Sequence, residues 1–181
     1  MQRIMIVGPG GAGKSSLARR LGGVLDLPVY HLDVLFWRPG WMPMPRDEWI
    51  RLQSELVATR SWIIDGNYGA TLDIRLAAAD TVLFLDFPRW LTLVRVVKRR
   101  IQYHRRTRPD MHTGCPEKLD WEFIHWIWRF PRVERPRMLE KLRQSPSPSP
   151  KVIILRTSCE VRAWVKGIQR NAVSRSSPTE G

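Results

Sequence analysis

The run Gly8-Pro9-Gly10-Gly11-Ala12-Gly13-Lys14-Ser15 places Gly8 and Gly13 with four residues between them, followed at once by Lys and a hydroxyl residue. It sits between an apolar stretch, Arg3-Ile4-Met5-Ile6-Val7, and a segment from Lys14 to Leu25 whose Leu17, Leu21 and Leu25 share one helical face. Glycines let the backbone curl so that successive N–H groups point inward at an anion. A helix N-terminus adds its partial positive charge to the same spot. The spacing is that of a P-loop, and the strand before it and helix after it are the context the motif requires. The expected phosphate cradle is Gly8, Gly10, Gly11, Ala12, Gly13, Lys14, Ser15 and Ser16. Lys14 reaches the outer phosphates and Ser15 coordinates Mg²⁺. The ligand that these parts fit is ATP with Mg²⁺.

Further apolar segments at 28–32, 62–65, 81–86 and 151–155 read as strands, with helices at 46–59, 88–103, 119–129, 132–143 and 158–169. Strands alternating with helices predict an α/β fold with a parallel five-stranded sheet covered on both faces, a three-layer sandwich. Ligands in such sheets lie beyond the carboxyl ends of the strands. Asp65 and Asp86 end two strands and belong at that rim beside the glycine loop. The plainer reading of each is an Asp capping the next turn.

Residues 1–170 read as one domain, with a Ser-Pro linker at 145–150 and a disordered tail at 171–181. The chain has 181 residues and a net charge of +13. No apolar run reaches the length of a bilayer span, and the N-terminal apolar stretch is too short for a signal peptide. A membrane partner is therefore not expected. Two cysteines, Cys115 and Cys159, make no disulfide framework, which points to the cytoplasm.

The charge bears on partners. Between Arg95 and Arg108 the chain carries Lys/Arg repeatedly and no acid. Arg95 and Arg99 share a helical face and can both point at phosphate. With Arg108 they suit an Arg-rich lid at about 104–118 that closes over a triphosphate and excludes water. Lys98, Arg99, Arg100, Arg105, Arg106 and Arg108, with Arg129, Arg132, Arg135 and Arg137, would also suit a sequence-tolerant DNA surface. Nine Trp include Trp37 and Trp41 in a Pro/Gly-rich loop, placed to stack on an acceptor, and a nearly all-apolar segment at 121–130 expected to pack in the core.

His31-Leu32-Asp33, Pro39-Gly40-Trp41, Ile63-Ile64-Asp65-Gly66-Asn67-Tyr68, Thr107-Arg108-Pro109-Asp110-Met111 and Gly114-Cys115-Pro116 together resemble a bacterial family. These are the adenylate-kinase-related P-loop proteins called DNA topology modulation (FlaR-like) proteins, and the resemblance spans about residues 3–143. It implies the sheet order 2-3-1-4-5 with a kinase-like lid. Ile64-Asp65-Gly66 is similar to the adenylate kinase strand whose Asp holds Mg²⁺ through water, which makes Asp65 the expected carboxylate supporting Mg²⁺, with Asp86 on the other strand beside the loop second. Asn67-Tyr68 stands where adenylate kinases carry a phosphate-gripping Arg, so a plain monophosphate acceptor is doubtful. Asp33, just past the second strand, is similar to the acid that orients substrate hydroxyls in shikimate- and gluconate-type kinases. The expected activity is transfer of the ATP γ-phosphoryl group to a nucleotide or small hydroxyl acceptor; the alternative is a nucleotide-regulated DNA binder. His31 reads as a structural histidine.

Overall fold

The computed structural model describes residues 1–103, 114–115, 120–145 and 150–176, with side chains through 171. At its centre lies β1 (Arg3–Val7), whose Ile4, Met5, Ile6 and Val7 are all fully buried. Side chains alternate across a strand, so Ile4 and Ile6 enter one core while Met5 and Val7 enter another. Both faces must be covered, and a strand apolar at every position is the result.

The remaining sheet strands are β2 (Val29–His31), β5 (Trp62–Asp65), β6 (Thr81–Leu85) and β7 (Lys151–Leu155), and every pairing is parallel. The order is β2-β5-β1-β6-β7, which is 2-3-1-4-5 counting this sheet alone. On the Ile4/Ile6 face, α1 (Lys14–Leu25) and α8 (Ser158–Ser176) bury Leu17, Leu21 and Val165. On the other face, α3 (Arg46–Ala58), α4 (Leu72–Ala78) and α7 (Glu134–Arg143) contribute Trp49, Leu72, Leu76, Met138 and Leu142. Two helices stand at the glycine-loop end of the sheet, α5 (Arg89–Gln102) and α6 (Trp121–Arg129), packed against each other.

Three features depart from the sequence reading. A short helix α2 (Leu32–Phe36) and a hairpin of β3 (Trp37–Arg38) with β4 (Met42–Pro43) occupy the Pro/Trp-rich stretch. A 3-10 turn at Gly69–Thr71 leads into α4 between β5 and β6. Lastly, α8 continues to Ser176 instead of stopping near 169, because no proline interrupts it before Pro178. Residues 104–113 and 116–119 of the expected lid lie outside the described residues, as do 146–149 of the linker and 177–181.

Asp80 ties the other end of the sheet. Its carboxylate accepts from the N–H groups of Gln2 (2.6 Å) and Arg3 (2.9 Å) and from the Thr81 hydroxyl (2.8 Å). Partial burial works to raise its pKa, but these donors outweigh it and hold the group below the ordinary carboxylate value. A depressed carboxylate contributes stability above its unfolded pKa and loses it as pH falls through the folded one. Urea unfolding should therefore show wild-type stability declining below about pH 4. Asp80→Asn should be less stable at neutral pH and flatter across the acid range.

Candidate active site

The loop from Gly8 to Gly13 carries β1 into α1 at the carboxyl edge of the sheet. Gly11 (φ 77°) and Gly13 (φ 89°) both occupy left-handed backbone, but their surroundings differ. A Cβ on Gly11 would lie 2.4 Å from the Thr92 carbonyl oxygen and 2.9 Å from Val96 Cγ2, whereas one on Gly13 would meet nothing within 4 Å. Gly13→Ala should thus cost only the backbone strain, about 1–2 kcal/mol. Gly11→Ala must also push α5 away, so its thermal midpoint should fall well below that of Gly13→Ala. Equal midpoints would mean that α5 does not press on the loop.

Lys14 Nζ donates to the carbonyls of Gly8 (2.9 Å) and Pro9 (3.0 Å), which holds the ammonium over the loop. Ser15 Oγ donates to Asp65 Oδ2 at 2.8 Å. Asp65 is buried at the end of β5, and its Oδ1 lies 2.5 Å from His31 Nδ1. The carboxylate is held from two sides, so His31 is a partner of Asp65 and not merely a core histidine.

Each residue after Asp65 also has a fixed partner. Gly66 N–H donates to the Ile6 carbonyl. The Asn67 side chain pairs with both backbone groups of Gly8: Oδ1 accepts from its N–H at 3.0 Å and Nδ2 donates to its carbonyl at 2.8 Å. The Gly8 N–H is therefore engaged by Asn67, and Gly8 lines neither cavity described below. This corrects the expectation that Gly8 holds phosphate directly: the side-chain amide of Asn67 reaches it first. The Tyr68 hydroxyl donates to Asp33 Oδ1 at 2.8 Å. Burial, then the Asp33 carboxylate, lifts the Tyr68 hydroxyl far above its ordinary value, so it stays a donor.

Arg75, fully buried on α4, holds this whole stretch. Its Nη1 donates to the Gly66 carbonyl (2.7 Å), and its Nη2 donates to those of Asn67 (2.5 Å) and Tyr68 (3.2 Å). Burial pulls the guanidinium down to about 9, against the opposing pull of Tyr68 and Asp65, which leaves it charged at neutral pH. The sequence reading passed over Arg75. A charge between Leu72 and Leu76 gives no local sign that it turns inward.

A cavity of about 760 Å³ opens above these groups. Its floor is the loop, with Gly10, Gly11, Gly13, Lys14, Ser15 and Ser16. Asp33, Asn67 and Tyr68 form one wall with Trp37 and Trp41, whose rings meet edge to face at 5.4 Å. Arg95, Arg99 and Gln102 from α5 and Phe123 and Trp126 from α6 form the opposite side, and Arg19 also lines it. A second cavity of about 200 Å³ lies on the other flank of the loop. There Ala12, Leu17, Leu85, Phe87 and Val161 give an apolar lining, and Arg95 reaches both spaces. Arg95 Nη2 donates to Ser158 Oγ at 2.7 Å, and its guanidinium stands 5.0 Å from the Phe87 ring centre.

Thus the fold brings Lys14, Ser15, Asp65, Asp33, Arg95 and Arg99 to one place. Arg108 lies outside the described residues. Asp86 does not join them, because Arg135 grips it with Nε (2.8 Å to Oδ1) and Nη2 (2.9 Å to Oδ2). That pairing raises the Arg135 pKa and removes Arg135 from the set that would track DNA phosphates. The 121–130 segment is only partly core: Ile127 and Phe130 are buried, while Trp121 and Trp128 are exposed.

No protein-family model matches the chain, and no curated protein matches it. Solved structures do. Shikimate kinase from Acinetobacter baumannii in complex with shikimate is 16% identical, with 98% of this chain and 96% of that one covered and a TM-score of 0.59. A gluconokinase from Sinorhizobium meliloti 1021 is 15% identical, with 97% and 98% covered and a TM-score of 0.50. At these identities the likeness shows the fold, which is that of small P-loop kinases.

Proposed function

We propose that this chain is an ATP-dependent phosphotransferase that moves the γ-phosphoryl group to a nucleotide or a small hydroxyl-bearing acceptor. The observation that carries this reading is the 760 Å³ cavity, which has phosphate-binding loop groups on its floor and the Asp33–Tyr68 pair on its wall. Phosphoryl transfer requires a donor and an acceptor positioned in one space more than it requires covalent chemistry, and these two sets of groups line one cavity.

In this reading the loop amides and Lys14 hold the triphosphate, and the smaller apolar cavity takes the nucleobase. Asp33 accepts a hydrogen bond from the acceptor hydroxyl and aims its oxygen at the γ-phosphorus. As that O–P bond forms, the hydroxyl proton passes to the Asp33 carboxylate and on to solvent, the bond to the bridging oxygen breaks and ADP leaves. Arg95 and Arg99 neutralise charge on the phosphoryl oxygens, with Arg108 assigned the same task. Ser15 Oγ and Asp65 Oδ2 are hard oxygens 2.8 Å apart, a set that suits Mg²⁺ held by Ser15 directly and by Asp65 through water. When bound, Mg²⁺ would neutralise the triphosphate.

An ATP-consumption screen across nucleosides, nucleotides and hydroxylated metabolites tests the reading. An acceptor that raises ADP release well above the background rate is the expected result. A rate that no acceptor changes would contradict it.

A further inference from the structure

α5 has two opposed faces. Arg95, Arg99 and Gln102 line the cavity, with Thr92 and Val96 buried beneath them. On the far side Trp90, Val94, Val97 and Ile101 follow at spacings of four, three and four residues, which is one stripe along a helix. All four are exposed, from 44% for Val97 to 73% for Ile101. The adjoining α6 repeats the pattern, with Trp121 and Trp128 exposed seven residues apart. The Arg89 guanidinium lies 3.9 Å over the Trp128 ring and joins the two rows at one end. Most of the exposed large apolar side chains among the described residues are on these two helices.

The charge around the stripe says what covers it. α5 carries Arg89, Lys98 and Arg100 beside the stripe and has no acid along its length. Stacking two copies stripe to stripe would set these cations against each other in a chain of net charge +13. The segments outside the described residues offer only Met111 and Leu119 as large apolar side chains, too little to bury the rows. DNA would satisfy the cations and leave the indoles and aliphatic groups in water. An anionic lipid surface satisfies both. Aliphatic and indole groups sink to the headgroup boundary while Lys and Arg extend to the phosphates.

We propose that the outer face of α5 and α6 docks on a membrane surface rich in anionic phospholipid. This is a surface contact; no helix among the described residues is long and apolar enough to cross a bilayer. It does not depend on the phosphotransferase reading.

The test uses the full chain with vesicles of about three parts phosphatidylcholine to one part phosphatidylglycerol, against phosphatidylcholine alone. Co-sedimentation and a blue shift of Trp emission should appear with the anionic vesicles and weaken with salt. The double variant Val94→Lys/Ile101→Lys adds two positive charges yet should bind roughly tenfold more weakly, because it removes the inserting groups. Trp90→Ala should weaken binding in the same direction, and thermal melting checks that both variants fold. Binding by the double variant equal to or tighter than wild type would overturn the proposal, as would no binding to anionic vesicles at low salt. So would a wild-type dimer that the double variant dissociates, since a second copy would then cover the face.

Discussion

Lys14→Ala should lose about a hundred- to a thousand-fold in kcat/KM for the phosphoryl transfer, the scale seen when one preorganised charge stabiliser is removed. Lys14 sits at the mouth of the loop, with Nζ donating to the Gly8 and Pro9 carbonyls. Those contacts are partly solvated and can be replaced by water, so the thermal midpoint should hardly move. The Gly8 carbonyl also keeps its bond from Asn67 Nδ2, which preserves the loop when the ammonium is gone. A large catalytic loss with an intact fold is the signature to look for. Full activity in Lys14→Ala would remove the loop from the chemistry.

The second large effect is on stability. Arg75→Ala leaves the carbonyls of Gly66, Asn67 and Tyr68 without the donors they now have in a dry interior. Each stranded carbonyl costs about 1–3 kcal/mol, while relief from burying a charge returns part of the total. A net loss of about 3 kcal/mol is expected by urea unfolding. Asn67 and Tyr68 would lose their placement, and through them Gly8 and Asp33 would loosen. Arg75→Lys keeps the charge but not the planar fork, so it should fall between Arg75→Ala and wild type. A variant as stable as wild type would show that the 66–68 segment holds its shape unaided.

The sheet was legible in the sequence because its strands are buried on both sides. Ile4 to Val7 and Trp62 to Asp65 are buried at every position, which leaves short unbroken apolar runs. The strand order came from the family resemblance, and the sheet has it. The site was half legible. The loop announces itself by residue type and spacing, while the roles expected of Asp65 and Asp33 came from the family resemblance. Asn67 and Arg75 do not. Asn67 looks like a turn residue, and only the packing of β5 beside β1 shows its amide pairing with Gly8. α4 is short, and its inward arginine interrupts the apolar spacing that would have marked a helix. The hairpin was missed because its strands have two residues each, too short to show an alternating pattern, although Gly40 at φ 78° marks its turn.

Asp86 shows the opposite error. It ends a strand beside the loop, as a metal-supporting acid should, and it lies at the rim as expected. Its fate is decided by Arg135, 49 residues away on another helix. No local pattern carries that information.

In the proposed reaction one cavity brings the γ-phosphoryl group of ATP to an organic hydroxyl, so the fate of label from γ-labelled ATP, followed in the presence of the acceptors from the screen, decides it. Label is expected on an acceptor hydroxyl with wild type, and much less with Lys14→Ala or Asp33→Asn. Label released only as inorganic phosphate, at a rate that neither substitution changes, would contradict it.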